Sequence, residues 1–304
     1  MTNEIIKENT EKIEEILNGI EEAMENVKAK SPLTHCITNF VTINDCANAA
    51  LAIGGSPIMT NDSQEVAEIG NIASAIVINI GQVSQLQINS IKKSCEHANK
   101  TNTPIVFDPV GAGVSNIRNT ITKEMVEFYE LTAIRGNMSE IKAIVNLIDL
   151  EIKDNEKKDS AGKGVDVAES DIITRDNLYT NGLIVRELAK ELETVVMASG
   201  PIDIISDGEY TFALENGDAM MPLITGSGCM LSTIIGTYIG ANEPLIGAIT
   251  ASALMAIAGE NAAEAVKKDN LGPGSFRNFL IDNLYKVTAD DISKRANLFE
   301  IDLN

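Results

Sequence analysis

Basic residues are scarce in this chain: 24 lysines and arginines stand against 44 aspartates and glutamates, a formal charge of −20. Such a surface repels polyanions, which excludes nucleic acid and anionic membrane as partners of a broad face but leaves room for a local positive site that binds a small anion. Cysteine is scarce too. Cys36, Cys46, Cys95 and Cys229 contain no CxxC pair, so neither a disulfide framework nor a zinc site is signalled, and a reducing cytoplasm is the expected setting. The only two histidines, His35 and His97, lack ligand spacing; we read the first as structural and the second as a helix-surface residue.

Long apolar runs are missing as well. The stretch 248–259 contains Thr250 and Ser252 and falls short of the ~18 residues of a membrane span, so it is expected as a buried helix. The first residues are charged, without the apolar core and cleavage site of a signal peptide, and export is not expected. A Walker A loop is absent: Gly162-Lys163 is followed by Gly164, with no glycine at the required distance upstream. Nor is there a dinucleotide fingerprint, because Gly111-Ala112-Gly113 runs on into Val114-Ser115-Asn116 without a third glycine. No repeat, Pro-rich linker or break in composition divides the chain, so we expect a single domain over 31–304, preceded by an amphipathic helical extension over 1–30.

Ile13, Ile16, Leu17, Ile20, Met24 and Val27 recur at helical spacing between Glu and Lys, which predicts a helix within 4–30 that packs on the body. Beyond it, short β-branched runs at 75–80, 105–107, 132–134 and 194–197 alternate with helical patterns. That alternation predicts an α/β fold, a mostly parallel central sheet with helices on both faces. Residues 202–206 and 210–214, joined by Asp207-Gly208-Glu209, read as an antiparallel hairpin at the sheet's edge. The polar stretch 151–171 reads as a surface loop before a helix near 183–192.

Chemistry is most visible at Thr225-Gly226-Ser227-Gly228-Cys229-Met230, which opens an apolar helical run. Glycines at a helix start expose N–H groups that have no partner in the helix and attract phosphate; the same glycines also suit simple close packing. Asp108 ends a strand, where open parallel sheets present ligand-binding groups, although a lone Asp there also serves as a cap or turn former. Likewise Arg135-Gly136-Asn137-Met138-Ser139-Glu140 follows a strand and reads equally as a helix start capped by Asn137 or Ser139.

Together with Thr38-Asn39-Phe40-Val41, Gly54-Gly55-Ser56-Pro57-Ile58-Met59, Asp108-Pro109-Val110-Gly111-Ala112-Gly113 and Gly272-Pro273-Gly274-Ser275-Phe276, these segments resemble the hydroxyethylthiazole kinase family of the ribokinase-like superfamily. The likeness runs from 32 to 287. It implies a ribokinase-like three-layer sandwich and ATP- and Mg²⁺-dependent phosphorylation of the hydroxyl of 4-methyl-5-(2-hydroxyethyl)thiazole, in thiamine salvage. By the same resemblance Gly226 and Gly228 form an anion hole, and Cys229 stands where related kinases carry an aspartate base. Its thiol, at a helix N-terminus, is expected to have a lowered pKa and to accept the substrate proton, with packing or orientation as the alternative. Asp108 and Glu140 match acids that hold Mg²⁺ directly or through water, Arg135 and Ser199 match ATP contacts, and Met59 and Gly226 match thiazole contacts, Met59 reading equally as core. Asn39 and Val41 match residues that reach a neighbouring subunit's pocket, which implies a homotrimer. The helix before Lys30 and an insertion over 151–165 depart from the family pattern, while Gly164-Val165-Asp166 resembles it. A pyrimidine or pyridoxal kinase is the rival enzyme, disfavoured by Cys229; a catalytically silent nucleotide- or thiazole-binding regulator is the rival of another class.

Overall fold

Runs of aliphatic, largely β-branched residues become the strands, and because most are buried on both faces they need a cover of helices on each side. In the computed structural model, which describes residues 5–8, 10–152 and 171–303, ten strands form one sheet. They are β1 (Ile6–Lys7), β2 (Leu33–Ile37), β3 (Ser56–Ile58), β4 (Ala75–Asn79), β5 (Ile105–Asp108), β6 (Ala133–Asn137), β7 (Val195–Ser199), β8 (Asp203–Ser206), β9 (Thr211–Leu214) and β10 (Leu298–Ile301). Their order is β1-β10-β9-β8-β7-β6-β5-β4-β2-β3. The strands from β7 to β3 in this order are parallel, and β8, β9, β10 and β1 are added antiparallel.

Alternate residues of each strand feed two cores. Val77, Val106 and Ala133 join the helices Glu11–Lys30, Ile43–Ala52, Ser227–Ile239, Pro244–Lys268 and Pro273–Lys286 on one face. Ile76, Ile78, Phe107 and Ile134 join Gln85–Thr101, Asn116–Phe128, Met138–Leu147 and Leu178–Leu192 on the other. The three-layer α/β arrangement is the one expected. Thr10 caps the first helix by accepting the Ile13 N–H at 3.2 Å, and its apolar stripe is buried in the first core. The helix Pro244–Lys268 is longer than its apolar run suggested; it is long and apolar enough to cross a membrane, yet 83% of its most apolar stretch is buried inside the protein.

The hairpin of β8 and β9 is antiparallel as expected but does not lie at the edge. All four residues of β9 are buried, and the strand is covered by β10 and then β1, from the two ends of the described chain. Pairing across that sequence distance leaves no local signal. The loop and insertion expected after Leu150, with Gly164-Val165-Asp166, lie largely outside the described residues.

One topological detail positions the site. From β2 the chain moves outward to β3, then returns across β2 to β4 and continues the other way through β5, β6 and β7. The connections therefore diverge between the carboxyl ends of β2 and β4, which leaves a crevice there, the place where open α/β sheets bind ligands.

Candidate active site

The helix Ser227–Ile239 begins over this crevice. Gly226, at its N-cap position, supplies no side chain to cap it, and among the described residues the N–H groups of Ser227, Gly228 and Cys229 have no partner. Only glycine fits at 226: φ is +87°, and a Cβ would stand 2.5 Å from Thr42 Cγ2. At 228 a Cβ would meet Arg135 Nη1 at 2.6 Å, so the glycine lets the guanidinium lie against the helix start. Free N–H groups, the positive end of a helix and a fixed cation converge on one spot, an arrangement that attracts anions.

Behind it, Asn39 follows β2 and Asn79 ends β4. Asn39 Oδ1 accepts the N–H groups of Val41 and Thr42, both at 3.1 Å, and Asn79 Oδ1 accepts that of Gly81 at 2.9 Å and the Asn39 Nδ2 at 3.1 Å. These backbone donors fix which way each amide faces. Both NH₂ groups consequently donate to Cys229 Sγ at 3.3 Å, and Asn79 Nδ2 also donates to Asp108 Oδ2 at 2.7 Å. Ser232, one turn into the helix, donates to the same Asp108 oxygen at 2.7 Å.

Asp108 is fully buried, and its other oxygen has no hydrogen-bond partner. Burial pushes its pKa up to about 6, with the Glu140 charge adding to the shift while Arg135, Ser232 and Asn79 oppose it. Cys229 departs from expectation. Its thiol is pushed above the ordinary value, first by burial and then by the Asp108 charge, despite hydrogen bonds with Thr42, Asn39 and Asn79. A helix start alone would lower it; seclusion beside a buried carboxylate outweighs that.

Arg135 leaves β6 and donates from Nε to Ser199 Oγ, on the adjacent β7, at 3.0 Å. Both line a cavity of about 640 Å³ that also takes in Gly228, Leu231, Met255 and Ala256. Glu140, in the helix that follows β6, accepts the Gly111 N–H at 2.9 Å and the Asn137 N–H at 2.7 Å. Asn137 in turn accepts the Glu140 N–H at 2.9 Å, so the pair is a capping box.

A family model described as the Hydroxyethylthiazole kinase family matches residues 24–290. The chain belongs to that family. It is 55% identical over 285 residues to a hydroxyethylthiazole kinase from Methanobrevibacter smithii, covering 94% of this chain and 98% of the relative. The solved structure of a hydroxyethylthiazole kinase protein from Pyrococcus horikoshii OT3 superposes with a TM-score of 0.80 at 31% identity, over 93% of this chain and 99% of that one. A ribokinase-like superfamily protein from Enterococcus faecalis V583, at 12% identity and a TM-score of 0.55 over 95% and 94% of the two chains, shares the fold.

Of the residues singled out by resemblance to the hydroxyethylthiazole kinase family, Asn39, Asp108, Arg135, Glu140, Ser199, Gly226, Gly228 and Cys229 gather around one helix start. Met59 follows β3 at the same sheet edge, half-buried and packed on the core. Asn39 is 5% exposed, and its amide is engaged within its own chain. Val41, 62% exposed, remains free to reach outward.

Asn79 was missed in the sequence, hidden as one polar residue in an apolar strand; its place before Ile80-Gly81, at the strand's carboxyl end, was the available signal. Arg118 was missed too. It donates to the carbonyls of Ile80, Gly81 and Val110 and so ties together the loops after β4 and β5.

Proposed function

We infer that this protein transfers the γ-phosphoryl group of ATP to the hydroxyl of 4-methyl-5-(2-hydroxyethyl)thiazole, giving the thiazole phosphate for thiamine synthesis. The observation that carries this reading is the uncapped start of Ser227–Ile239, set between the Arg135 cavity on one side and the Cys229–Asn79–Asp108 network on the other. ATP lies in the cavity, with its phosphates on Arg135 and the free N–H groups. The alcohol oxygen, held beside Cys229, bonds to the γ-phosphorus as the bond to the β-phosphate oxygen breaks and ADP departs. Gly226 and Gly228 allow the N–H groups to meet the charge that builds on the transferring group. Because burial keeps the thiol protonated near neutral pH, Cys229 orients the alcohol, whose proton passes late in a loose transition state to an oxygen of the transferred phosphoryl group.

The unpartnered oxygen of Asp108 fits a Mg²⁺ ion or one of its waters. Glu140 uses both oxygens on backbone N–H groups but keeps lone pairs for a metal-bound water. Among the described residues no cluster of three or more metal-binding side chains occurs, which suits an ion held by one or two carboxylates and the nucleotide. Mg²⁺, when bound, neutralises charge on the β- and γ-phosphates.

We further infer a homotrimer. Phe40 and Val41 after β2, Leu86 after β4, and Val114 and Ile117 after β5 are all at least half exposed, and the loops and helix starts that carry them follow neighbouring parallel strands at the same sheet edge. An apolar surface of that kind favours a second copy. Free cysteines support a cytoplasmic setting.

The test is ADP release with the thiazole alcohol, the pyrimidine alcohol and pyridoxal, each with and without Mg²⁺. Turnover of the thiazole alcohol alone, dependent on Mg²⁺, is expected; preference for another alcohol, or no turnover at all, would overturn the assignment. Light scattering should give three times the chain mass, and Val41→Lys should reduce it.

A further inference from the structure

The cavity beside Arg135 has walls of two chemistries. Arg135, Ser199 and Gly228 make one; Leu231, Met255 and Ala256 belong to the other. Ser252 stands in the apolar wall, three and four residues before Met255 and Ala256 and so on the same face of Pro244–Lys268. It is 1% exposed and its hydroxyl has no hydrogen-bond partner. Helical serines and threonines usually satisfy the hydroxyl on the carbonyl four residues back, as Ser232, Thr233 and Thr237 do in the adjoining helix. Ser252 does not.

Several other polar side chains around the cavity are engaged inside the chain. Asn216 donates to Glu260 and to the Arg295 carbonyl, Asp218 pairs with Lys267, Asp203 accepts the Gly200 N–H, and Asn137 caps its helix. A buried hydroxyl left without a partner is destabilising, and at the wall of a cavity a ligand can supply the missing bond.

We propose that Ser252 reads the nucleotide base. With the phosphates drawn to Arg135 and the open helix start, the flat purine lies against Leu231, Met255 and Ala256, and the Ser252 hydroxyl hydrogen-bonds its ring. This assignment rests on the reading of the cavity as the ATP site.

Calorimetric titration tests it with three probes: ATP, an ATP analogue lacking both ribose hydroxyls, and inorganic tripolyphosphate, which has no base. Wild type is compared with Ser252→Ala, Arg135→Ala and Thr250→Val. Thr250 is the internal control, a buried and unpartnered hydroxyl of the same helix that does not line the cavity. Ser252→Ala should bind ATP and the ribose-modified analogue about 3- to 10-fold more weakly, the worth of one neutral hydrogen bond, and tripolyphosphate as well as before. Thr250→Val should bind all three like wild type, and without ligand both hydroxyl variants should melt higher than wild type. Unchanged ATP affinity in Ser252→Ala, or a loss seen with ATP but not with the ribose-modified analogue, would overturn the base-reading role. If Arg135→Ala also binds ATP and tripolyphosphate like wild type, the ATP site itself is misassigned; if Arg135→Ala loses both while Ser252→Ala is normal, only the role of Ser252 falls.

Discussion

Two helices begin at the carboxyl edge of the sheet within reach of Arg135, and they begin in opposite ways. Met138–Leu147 is closed by its own side chains: Asn137 accepts the Glu140 N–H, and Glu140 accepts that of Asn137. Ser227–Ile239 starts on a glycine, has no side-chain cap, and leaves three N–H groups without a partner among the described residues. The first end is stabilised and closed to an anion, and its acid also holds the Gly111 loop. In the second, the missing cap gives up about 1 kcal/mol of helix stability and leaves the positive end open to phosphate. An anion site, on this comparison, is a helix start from which the cap has been withheld.

Closing the open end should have the largest effect. Gly226→Ala places a methyl against Thr42 in a backbone conformation that L-residues resist, which should turn the first N–H groups away from the phosphoryl group. We expect kcat/KM to fall by about 10²–10³-fold, as when one oxyanion donor is lost, with a folded circular dichroism spectrum. Near-normal kcat/KM would break the comparison.

Asp108→Asn separates catalysis from stability. The pKa of this carboxyl is raised from 3.8 to about 6, so the native state holds the proton more tightly than the unfolded chain, and the carboxyl's contribution to stability is lost as pH rises between those values. The variant should be nearly inactive. In the absence of ligand it should melt above wild type at pH 7–8, by up to roughly 2–3 kcal/mol, with the difference fading toward about pH 4. A variant that melts lower at every pH would show that the charged form is stabilised after all.

Cys229→Ala sharpens what the open end requires. Since burial and Asp108 hold the thiol proton in place, kcat should fall by less than the ~10²–10⁴-fold typical of a lost general base. Its ratio to wild type should stay constant between about pH 6 and 8, below the range in which a thiol so raised ionises. A ratio that grows with pH would restore the role of proton acceptor.

The smallest change comes from opening the closed end. Asn137→Ala should lower stability by about 1 kcal/mol in urea unfolding and reduce kcat/KM far less than Gly226→Ala does, since Glu140 keeps its bond to the Gly111 N–H. A loss as large as that of Gly226→Ala would mean that both helix starts serve the reaction alike.

Sequence reading located most of this site because its members lie in short runs with a local signature: Gly226 and Gly228 before an apolar helix, Asp108 at a strand end, Arg135 to Glu140 after the next strand. It went astray where the environment is assembled from distant segments. Cys229 looked like an activated thiol because a helix start is visible locally, whereas the seclusion that reverses the shift comes from Asn39, Asn79 and Asp108 on separate strands. The bonds from the Asn39 amide to Asn79 and Cys229 likewise join separate segments and leave no local signal.

Periodicity, glycine placement and residue order by themselves determined the alternation of strands and helices, the expectation of a parallel sheet, and the two helix starts, since each depends on contacts within a few residues. Tertiary structure alone decided that β10 and β1 extend the sheet past the hairpin, that Asn79 joins the thiol to the buried carboxylate, and that Ser252 on Pro244–Lys268 lines the cavity with its hydroxyl unpartnered. Those outcomes depend on which surfaces exclude water and which donors remain unpaired, and both are properties of the packed chain.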